Sequence, residues 1–328
     1  MIESFRPAYR TELGVAYCED SLKALREMPE ASVNLVFTSP PFALLRQKEY
    51  GNESQTTYID WLLQFARLVY PTLSDDGSFV IDLGGAYKQG VPVRSLYNFR
   101  FMIRMCDEIG FHLAEDFYWH NPSKLPSPIE WVNKRKMRTK DSVNTVWWFS
   151  KTEYPKADVR KVLTAYSDRM KKLLKAPKKY YEPKDRPSGH KISSSFGKNN
   201  GGAIPSNLLQ IPNSESASHY LQACRIVGIK AHPARFPAKL PQFFIRFLTE
   251  PNDLVVDIFS GSNTTGMVAE SEKRRWISIE KDLKYTASSA FRFLDKNTTP
   301  GDVQTLYNRL LMGETVDMTD TLFQPKLL

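Results

Sequence analysis

Residues 254–280 read LVVDIFSGSNTTGMVAESEKRRWISIE, and this stretch indicates the class of fold. The apolar, β-branched run from Leu254 to Phe259 predicts a buried strand, and the small residues from Ser260 to Asn263 predict a tight turn. A helix is expected from about Thr264 to Glu270, and a second strand from Trp276 to Ile279. A strand, a turn, a helix and another strand in this order are typical of a parallel sheet covered by helices.

The ends of these two strands carry residues that suit a nucleotide-type cofactor. Gly261 lets the backbone of the turn approach a ligand closely, and the next helix begins beside it. Glu280 ends the second strand and lies 23 positions after Asp257. An acidic residue at that place takes the hydroxyls of a ribose in such units. The glycine turn and the two acids together predict a cofactor site.

The second informative segment is Thr38-Ser39-Pro40-Pro41-Phe42, which directly follows the strand-like run from Val33 to Phe37. Two consecutive prolines end the strand and lack two backbone donors, but they keep their carbonyl groups. The segment therefore predicts a stiff corner with outward-facing acceptors, a hydroxyl on one side and an aromatic ring on the other. Such a corner can stack on a planar group and accept hydrogen bonds from an exocyclic amine. Taken alone, a pair of prolines indicates no more than a rigid turn.

The rest of the chain alternates between strands and helices, except in one segment. Further strands are predicted at residues 14–18, 78–82, 111–119 and 144–149, and further helices at 21–25, 58–73, 97–109 and 241–248. This alternation predicts an α/β protein with a mostly parallel sheet covered by helices.

The segment from about Lys151 to Gly228 breaks the alternation. It is rich in Lys, Ser, Asn, Pro and Gly, with some helix expected near Asp168 to Leu174, and it predicts a recognition insert rather than a disordered linker. The formal net charge is +9, and residues 134–191 contain 18 Lys and Arg against 6 Asp and Glu. A solvated charged face is the simpler explanation of such a run, but clustered cations interleaved with tyrosines favour a polyanion. The candidate contacts are Lys134, Arg135, Lys136, Lys171, Lys172, Lys178 and Lys179.

Composition excludes several classes of protein. The chain has 328 residues, of which 41% are hydrophobic and 25% charged, as in a globular protein of one large or two modest domains. No apolar run reaches membrane-spanning length, and the N-terminus lacks the core of a signal peptide. The three cysteines are far apart and form no disulfide framework, so a cytoplasmic protein is expected. The histidines and cysteines show no metal-ligand spacing, and no metal is expected.

These segments together resemble the amino-group DNA methyltransferases over nearly the whole chain. Ser39-Pro40-Pro41-Phe42 matches the SPPF catalytic motif typical of N4-cytosine enzymes, whereas adenine-N6 relatives usually begin with Asp or Asn. Asp257 to Gly266 resembles the S-adenosylmethionine loop. His232 to Pro237 resembles the segment that closes over the methionine end of that cofactor. Asn263 stands where many members have a third glycine, and asparagine tolerates left-handed turns.

The resemblance implies a Rossmann-like S-adenosylmethionine-dependent methyltransferase fold with helices on both faces of the sheet. The order of catalytic motif, recognition insert and cofactor loop is the circularly permuted β-class arrangement. It divides the chain into a catalytic half at residues 1–150, a target-recognition insert at 151–228 and a cofactor-binding half at 229–328.

The resemblance also implies roles for individual residues. The implied catalytic residues are Ser39, Pro40, Pro41, Phe42 and Asp82. The implied contacts to S-adenosyl-L-methionine are Asp20, Pro237, Asp257, Phe259, Gly261, Asn263, Thr264 and Glu280. Phe42 and Trp148 would stack on the target base, which must be flipped out of the duplex. Ser39 Oγ and the Pro40 carbonyl would accept the protons of the cytosine amine, and no covalent adduct is needed.

Three of these roles have simpler alternatives. Asp82 either orients Ser39, accepts its proton, or is an acid in a turn. Asp20 contacts the adenine amine of the cofactor or caps the helix that begins near Ser21. Trp147 and Trp148 are core residues or a wall of the base pocket, and strand alternation lets only one of them face that pocket.

Other functions remain open at this point. Methylation of adenine N6 uses similar chemistry, and a degenerate member of the fold would bind DNA without catalysis. An NAD-dependent oxidoreductase would share the glycine turn, but it would explain neither SPPF nor the basic segment. The resemblance implies the palindrome CAGCTG with its inner cytosine as target, and a cognate restriction endonuclease that shares the site without a stable complex. The oligomeric state is open.

Overall fold

The computed structural model describes residue 2 and residues 4–42, 57–88, 90–176, 198–214, 218–295 and 297–319. The chain divides into two compact units, residues 1–157 with 207–328 and residues 158–206. The second unit lies within the proposed insert at 151–228, while residues 207–228 belong to the first unit. The three-part division of the chain stays a prediction.

Ten strands are described, and all of them belong to one sheet. In chain order they are β1 Tyr9–Arg10, β2 Gly14–Cys18, β3 Val33–Thr38, β4 Leu73–Gly84, β5 His112–His120, β6 Val143–Ser150, β7 Leu208–Gln210, β8 Leu254–Asp257, β9 Arg275–Glu280 and β10 Val316–Asp317.

Nine α-helices are described in the same residues. They are α1 Ser21–Arg26, α2 Tyr58–Thr72, α3 Tyr97–Arg104, α4 Asp168–Lys175, α5 His219–Ile226, α6 Lys239–Leu248, α7 Thr264–Ser271, α8 Leu283–Ser289 and α9 Pro300–Leu311. Helix α4 lies in the second unit, together with a short helical turn at Val159–Val162 and an antiparallel bridge between Thr164 and Ala203.

The order of the strands places early and late segments of the chain side by side in the sheet. The sheet runs β10-β1-β2-β9-β8-β3-β4-β6-β5-β7. Its five central strands, β2, β9, β8, β3 and β4, are parallel, whereas β6 pairs antiparallel with both β4 and β5. Because β8 and β9 lie between β2 and β3, the late glycine turn and the early proline corner follow neighbouring strands. Both segments therefore lie at the same edge of the sheet.

Side chains of β3 show that helices cover both faces of the sheet. Val36 is fully buried in the apolar cluster that includes residues of α1, α2 and α3. The next side chain, Phe37, points the other way and contacts the rings of Phe236 and Phe244, with centroids 5.6 Å apart in each case. Alternation along a strand explains this arrangement, and the predicted α/β fold is confirmed.

Most predicted elements lie within one or two residues of their observed bounds. The strand predicted from Leu254 to Phe259 ends earlier, at Asp257, because Ile258 and Phe259 already belong to the turn. The helix predicted at residues 97–109 is regular only to Arg104 and continues as a π-helical turn at Met105–Ile109. Helices α5, α8 and α9 were not predicted. The short strands β1, β7 and β10 were also missed.

Candidate active site

A cavity of about 330 Å³ opens at the carboxyl ends of the parallel strands. Its wall contains residues at or just after the ends of β2, β3, β8 and β9, together with two side chains of α2 and part of the segment before α6. These residues are Asp20 to Leu22, Ser39 to Phe42, Trp61, Phe65, His232, Ala234 to Phe236, Ile258 to Ser262, Thr264 and Ile279 to Lys281. The structure therefore brings the proline corner and the glycine turn into one site.

The glycine turn is shaped by two residues with positive φ angles. Gly261 has a φ of 50°, and a Cβ atom there would lie 2.9 Å from the ring of His232. Asn263 has a φ of 53°, and its Oδ1 accepts a hydrogen bond from the Gly266 backbone at 3.0 Å as the cap of α7. Asn263 is fully buried and donates to the Tyr9 hydroxyl at 2.8 Å, so it shapes the turn without lining the cavity.

Glu280 binds the turn and faces the cavity at the same time. Its Oε2 accepts a hydrogen bond from the Gly261 backbone at 3.0 Å, and its Oε1 accepts one from the Asp282 backbone at 2.9 Å. Burial raises the pKa of Glu280 above its usual range, while these two backbone donors lower it. Each carboxylate oxygen keeps a second lone pair, so Glu280 can still accept hydrogen bonds from ligand hydroxyls.

Asp20 caps α1 and also lines the cavity, so the two roles that the sequence left as alternatives are compatible. Its Oδ1 caps α1 by accepting hydrogen bonds from the backbones of Leu22 and Lys23, at 2.9 and 3.3 Å. The same residue also lines the cavity. Capping fixes the position of the carboxylate and leaves its other oxygen available to a ligand.

Asp257 does not reach the cavity, although it was predicted to contact the cofactor. It is 1% exposed, and its Oδ1 accepts hydrogen bonds from Thr38 Oγ1 at 2.7 Å and from the Phe259 backbone at 3.1 Å. Thr265 Oγ1 donates to the other oxygen at 2.6 Å. Burial raises the pKa of Asp257 to about 6, against the lowering effect of these donors. The carboxylate therefore connects the end of β3 to the glycine turn, which is a positioning role.

The segment from His232 to Pro237 lines the cavity in part. His232, Ala234, Arg235 and Phe236 are on the wall, and His232 also packs edge-on against Tyr285 with ring centroids 4.5 Å apart. Pro237 is not on the wall, and its carbonyl accepts a hydrogen bond from the Leu240 backbone at 2.9 Å where α6 begins. The predicted contacts of this segment to the cofactor, including that of Pro237, stay predictions.

The proline corner carries a short chain of hydrogen bonds. Ser39 Oγ donates to Asp82 Oδ2 at 3.1 Å, and Asn144 Nδ2 donates to Asp82 Oδ1 at 3.0 Å. Asp82 lies near the end of β4 and is paired in register with Val146 of β6. With its proton directed at Asp82, the Ser39 hydroxyl presents its lone pairs to the cavity as acceptors.

Phe42 completes the corner on its aromatic side. Its ring lies so close to Gly84 that a Cβ atom there would be 2.4 Å from the ring. Glycine at this position lets the ring pack against the end of β4. Pro40, Pro41 and Phe42 all line the cavity beside Ser39.

Burial sets the acidity of the Asp82 carboxyl. The group is 2% exposed, and desolvation raises its pKa from 3.8 to about 6, although Asn144, Ser39 and the charge of Lys124 lower it. The neutral form contributes stability that is complete below the ordinary pKa and is lost as the pH rises through about 6. Above pH 6 the Asp82 carboxyl is ionised and accepts the Ser39 proton, and the folded protein is less stable as a result.

If the site transfers methyl groups, as the resemblance implies, the rate should fall as the pH falls through about 6, because protonated Asp82 can no longer take up a proton from Ser39. Asp82→Asn should transfer methyl groups slowly at every pH and be at least as stable to heat as the wild type at pH 8. Single-turnover rates across pH and thermal melting at pH 8 measure the two effects. Asp257 titrates near the same pH in both proteins, so only the difference between their profiles reports on Asp82. If the rates of the wild type and of Asp82→Asn changed with pH in the same way, the proposed role of Asp82 would be contradicted.

Neither tryptophan of β6 reaches the cavity. Trp148 is 6% exposed, its indole nitrogen donates to Ser78 Oγ at 2.9 Å, and its ring packs against Phe247 with centroids 5.2 Å apart. It is paired with Val80, in the middle of β4, and so lies away from the sheet edge. Trp147 points to the other face and contacts Phe99. The stacking role assigned to Trp148 is therefore corrected, and both tryptophans are core residues.

Two aromatic residues of α2 were not predicted as site residues. Trp61 and Phe65 line the cavity, and their rings contact Phe259 with centroids 5.6 and 4.8 Å apart. Their helical spacing was visible in the sequence, but the same spacing is expected for a face that packs on the core. The role of Asn144 was also missed, since nothing in the sequence pairs it with Asp82.

The basic residues are described in part. Lys134 and Arg135 are exposed and both lie beside Glu130, at 3.2 and 3.0 Å, while Lys136 is exposed with a φ of 53°. In the second unit, Lys171 pairs with Asp168 at 3.1 Å and Lys172 is exposed. Lys178 and Lys179 lie outside the described residues.

The described parts of the chain lack two further kinds of feature. Those parts contain no cluster of three or more His, Cys, Asp or Glu side chains suited to a metal ion. Among their helices, none has both the length and the apolar character needed to cross a membrane.

Comparison with known proteins identifies the family. A family model described as DNA methylase matches residues 33–291. The type II methyltransferase M.PvuII of Proteus hauseri is 65% identical, over 97% of this chain and 94% of its own. M.ScaI of Streptomyces caespitosus is 26% identical, over 84% of this chain and 79% of its own.

Solved structures agree with this result. The structure of PvuII DNA methyltransferase (cytosine-N4-specific) superposes with a TM-score of 0.80 and 57% identity, covering 96% of this chain and 99% of that one. A putative DNA modification methylase from Thermus thermophilus shares the fold at 19% identity, with a TM-score of 0.52, covering 92% and 98% of the two chains. The match over residues 33–291 contains both the SPPF corner and the glycine turn, and the chain belongs to the DNA methylase family.

Proposed function

We propose that this protein is a site-specific DNA methyltransferase that transfers a methyl group to the N4 amine of a cytosine in duplex DNA. The observation that carries the proposal is the cavity shared by the Ser39–Asp82–Asn144 hydrogen-bond chain and the turn held by Glu280. The identity of 65% to M.PvuII, and the cytosine-N4 specificity of the PvuII enzyme whose structure superposes on this one, support the choice of cytosine.

The methyl donor is S-adenosyl-L-methionine, and the residues of the cavity fit it. Glu280 offers carboxylate lone pairs to ribose hydroxyls, and Asp20 offers an acceptor to the adenine amine. Trp61, Phe65 and Phe259 provide an aromatic wall for a planar base. When bound, the donor supplies a sulfonium methyl group, and no metal is required.

The residues of the corner act on the target amine. The lone pair of a cytosine N4 amine is delocalised into the ring, so the amine must be held with its N–H groups directed away from the attacking lone pair. Ser39 Oγ and the Pro40 carbonyl accept those N–H groups, while Phe42 stacks on the face of the base. Asp82 accepts the Ser39 proton and, through Ser39, draws the proton that the amine loses when the N–CH₃ bond forms.

DNA binds to the exposed basic residues 134–136 and to the second unit. Lys134, Arg135, Lys136, Lys171 and Lys172, with Lys178 and Lys179 beyond the described residues, contact phosphates and release counterions. The target cytosine leaves the duplex to reach the cavity, since its amine is otherwise hidden. In this proposal residues 1–150 are the catalytic half, 151–228 the recognition insert and 229–328 the cofactor half.

The biological role is modification within a restriction-modification system in the bacterial cytoplasm, on DNA of the nucleoid. The proposed site is CAGCTG, with the inner cytosine methylated on each strand. A cognate endonuclease would cut the same site when it is unmethylated, without forming a stable complex with this protein.

Product analysis tests the function. Duplex DNA containing CAGCTG is incubated with the protein and radiolabelled S-adenosyl-L-methionine, digested to nucleosides and separated by mass spectrometry. N4-methylcytosine is the expected product, and a duplex with the inner cytosine replaced by thymine is the control. Label on N6-methyladenine would contradict the cytosine assignment, and the absence of label in any DNA would contradict the function as a whole.

A further inference from the structure

A short hairpin stands directly after the end of β4. Its described residues are 86–88 and 90–95, held by hydrogen bonds from the Lys88 backbone to the Val93 carbonyl and from Ser95 to the Ala86 carbonyl, both at 2.8 Å. Tyr87 and Arg94 form an antiparallel bridge between its two arms, and the Arg94 guanidinium lies 5.2 Å from the centre of the Tyr87 ring.

The base of this hairpin is attached to the active site. The Tyr97 hydroxyl donates a hydrogen bond to the Gly84 carbonyl, which fixes the end of β4. A Cβ atom on Gly84 would meet the Phe42 ring, and one on Gly85 would lie 2.7 Å from the Arg94 guanidinium. The Phe42 ring, which lines the cavity, and the hairpin are therefore anchored on two successive residues at the end of β4.

The hairpin is also braced against the basic segment. Arg94 pairs with Asp141 at 2.8 Å, and Arg138 donates from Nε to the Pro92 carbonyl at 3.0 Å. Residues 133–140 are exposed throughout and include five Lys and Arg. These contacts hold the hairpin in a fixed position beside a surface that attracts phosphates.

The hairpin exposes apolar side chains in this cationic setting. Val91 is 42% exposed and Val93 is 47% exposed, next to the exposed side chain of Lys88. A single exposed valine on a protein surface needs no explanation. Two of them on a braced hairpin, directly after the strand end that Phe42 packs on, fit apolar contacts to the faces of base pairs rather than to phosphates.

We propose that this hairpin is a wedge, and that Val91 and Val93 enter the duplex at the target base pair and occupy the space that the flipped cytosine leaves. The proposal rests on the proposed function and adds a step to it. The cations position the backbone of the DNA, while the valines replace the stacking that the neighbouring base pairs lose when the cytosine moves into the cavity.

The test compares two duplexes with the same methylation site, one with the target cytosine paired with guanine and one with it opposite adenine. A mismatched base costs less to flip, so a wedge matters less for it. The double variant Val91→Ser, Val93→Ser should be about tenfold slower than the wild type on the paired duplex, and nearly equal to it on the mismatched one. Ile226→Ser is the matched control, because Ile226 is 41% exposed on α5, and it should be unchanged on both duplexes.

Single-turnover rates at saturating S-adenosyl-L-methionine and DNA separate the outcomes. A defect of the same size on both duplexes would overturn the wedge, because it would place the valines in a step other than base flipping. Full activity of the double variant on the paired duplex would overturn the proposed wedge as well. If the wild type methylates neither duplex, the proposed function itself fails, and that result cannot be confused with a defect confined to the variant.

Discussion

Replacing Ser39 with alanine should lower the rate of methyl transfer by on the order of a hundredfold or more, while the fold and the binding of DNA and S-adenosyl-L-methionine change little. The substitution removes one oxygen from a corner whose backbone Pro40 and Pro41 hold in place. It deletes both the acceptor for the target amine and the donor to Asp82, which is 3.1 Å away. A water molecule that enters the corner in place of the hydroxyl is not held in the orientation that the target amine requires.

Single-turnover assays with Ser39→Ala measure this effect, and Ser32→Ala is the matched control. Ser32 precedes β3 at the opposite end from Ser39, and its hydroxyl donates to the Pro29 carbonyl at 2.7 Å. The control should retain wild-type rates. Full activity in Ser39→Ala would remove the serine from the mechanism and leave the Pro40 carbonyl as the main acceptor.

Most strands and helices could be predicted from short stretches of sequence, because the residues within each stretch largely determine its backbone conformation. The β-branched runs of β3 and β8, the prolines after β3 and the glycine turn before α7 act through backbone restrictions that neighbouring residues alone impose. The parallel order of the central strands follows from the alternation of strands and helices. Helix α5 was missed because it lies in a segment rich in loop-forming residues, although Tyr220, Ala223 and Cys224 on it are buried.

The sequence located the residues whose positions follow directly from the end of a strand. It misplaced residues whose positions depend on tertiary packing. Ser39 and Glu280 face the cavity because strand ends place them there. Asp257 also follows a strand, but the hydroxyl groups of Thr38 and Thr265 take up its oxygens and keep it buried. Those partners are 219 and 8 residues away along the chain, so only the folded structure reveals them. The position of Trp148 was mispredicted because alternation along a strand shows which face of the sheet a side chain lies on. It does not show how far the side chain lies from the edge of the sheet where the cavity opens.

Replacing Glu280 with alanine should weaken the binding of S-adenosyl-L-methionine by about 1–3 kcal/mol, because ribose hydroxyls lose their partner in a buried site. Part of that loss arises within the protein, since the backbone N–H groups of Gly261 and Asp282 also donate to this carboxylate. Glu280→Gln separates the two contributions. The glutamine keeps one carbonyl oxygen for the Gly261 backbone and loses the negative charge, so its affinity should lie between those of the wild type and Glu280→Ala.

Isothermal titration calorimetry with the three proteins measures these affinities, and DNA binding without cofactor should be the same in all of them. The glutamine variant decides how Glu280 acts. If it binds as weakly as Glu280→Ala, the second carboxylate oxygen, and not the shape of the turn, holds the ribose. If it binds as tightly as the wild type while Glu280→Ala is weak, Glu280 acts by holding Gly261 in its left-handed conformation beside His232. Unaltered affinity in both variants would remove Glu280 from the cofactor site and leave Asp20 as the acidic residue on the cavity wall.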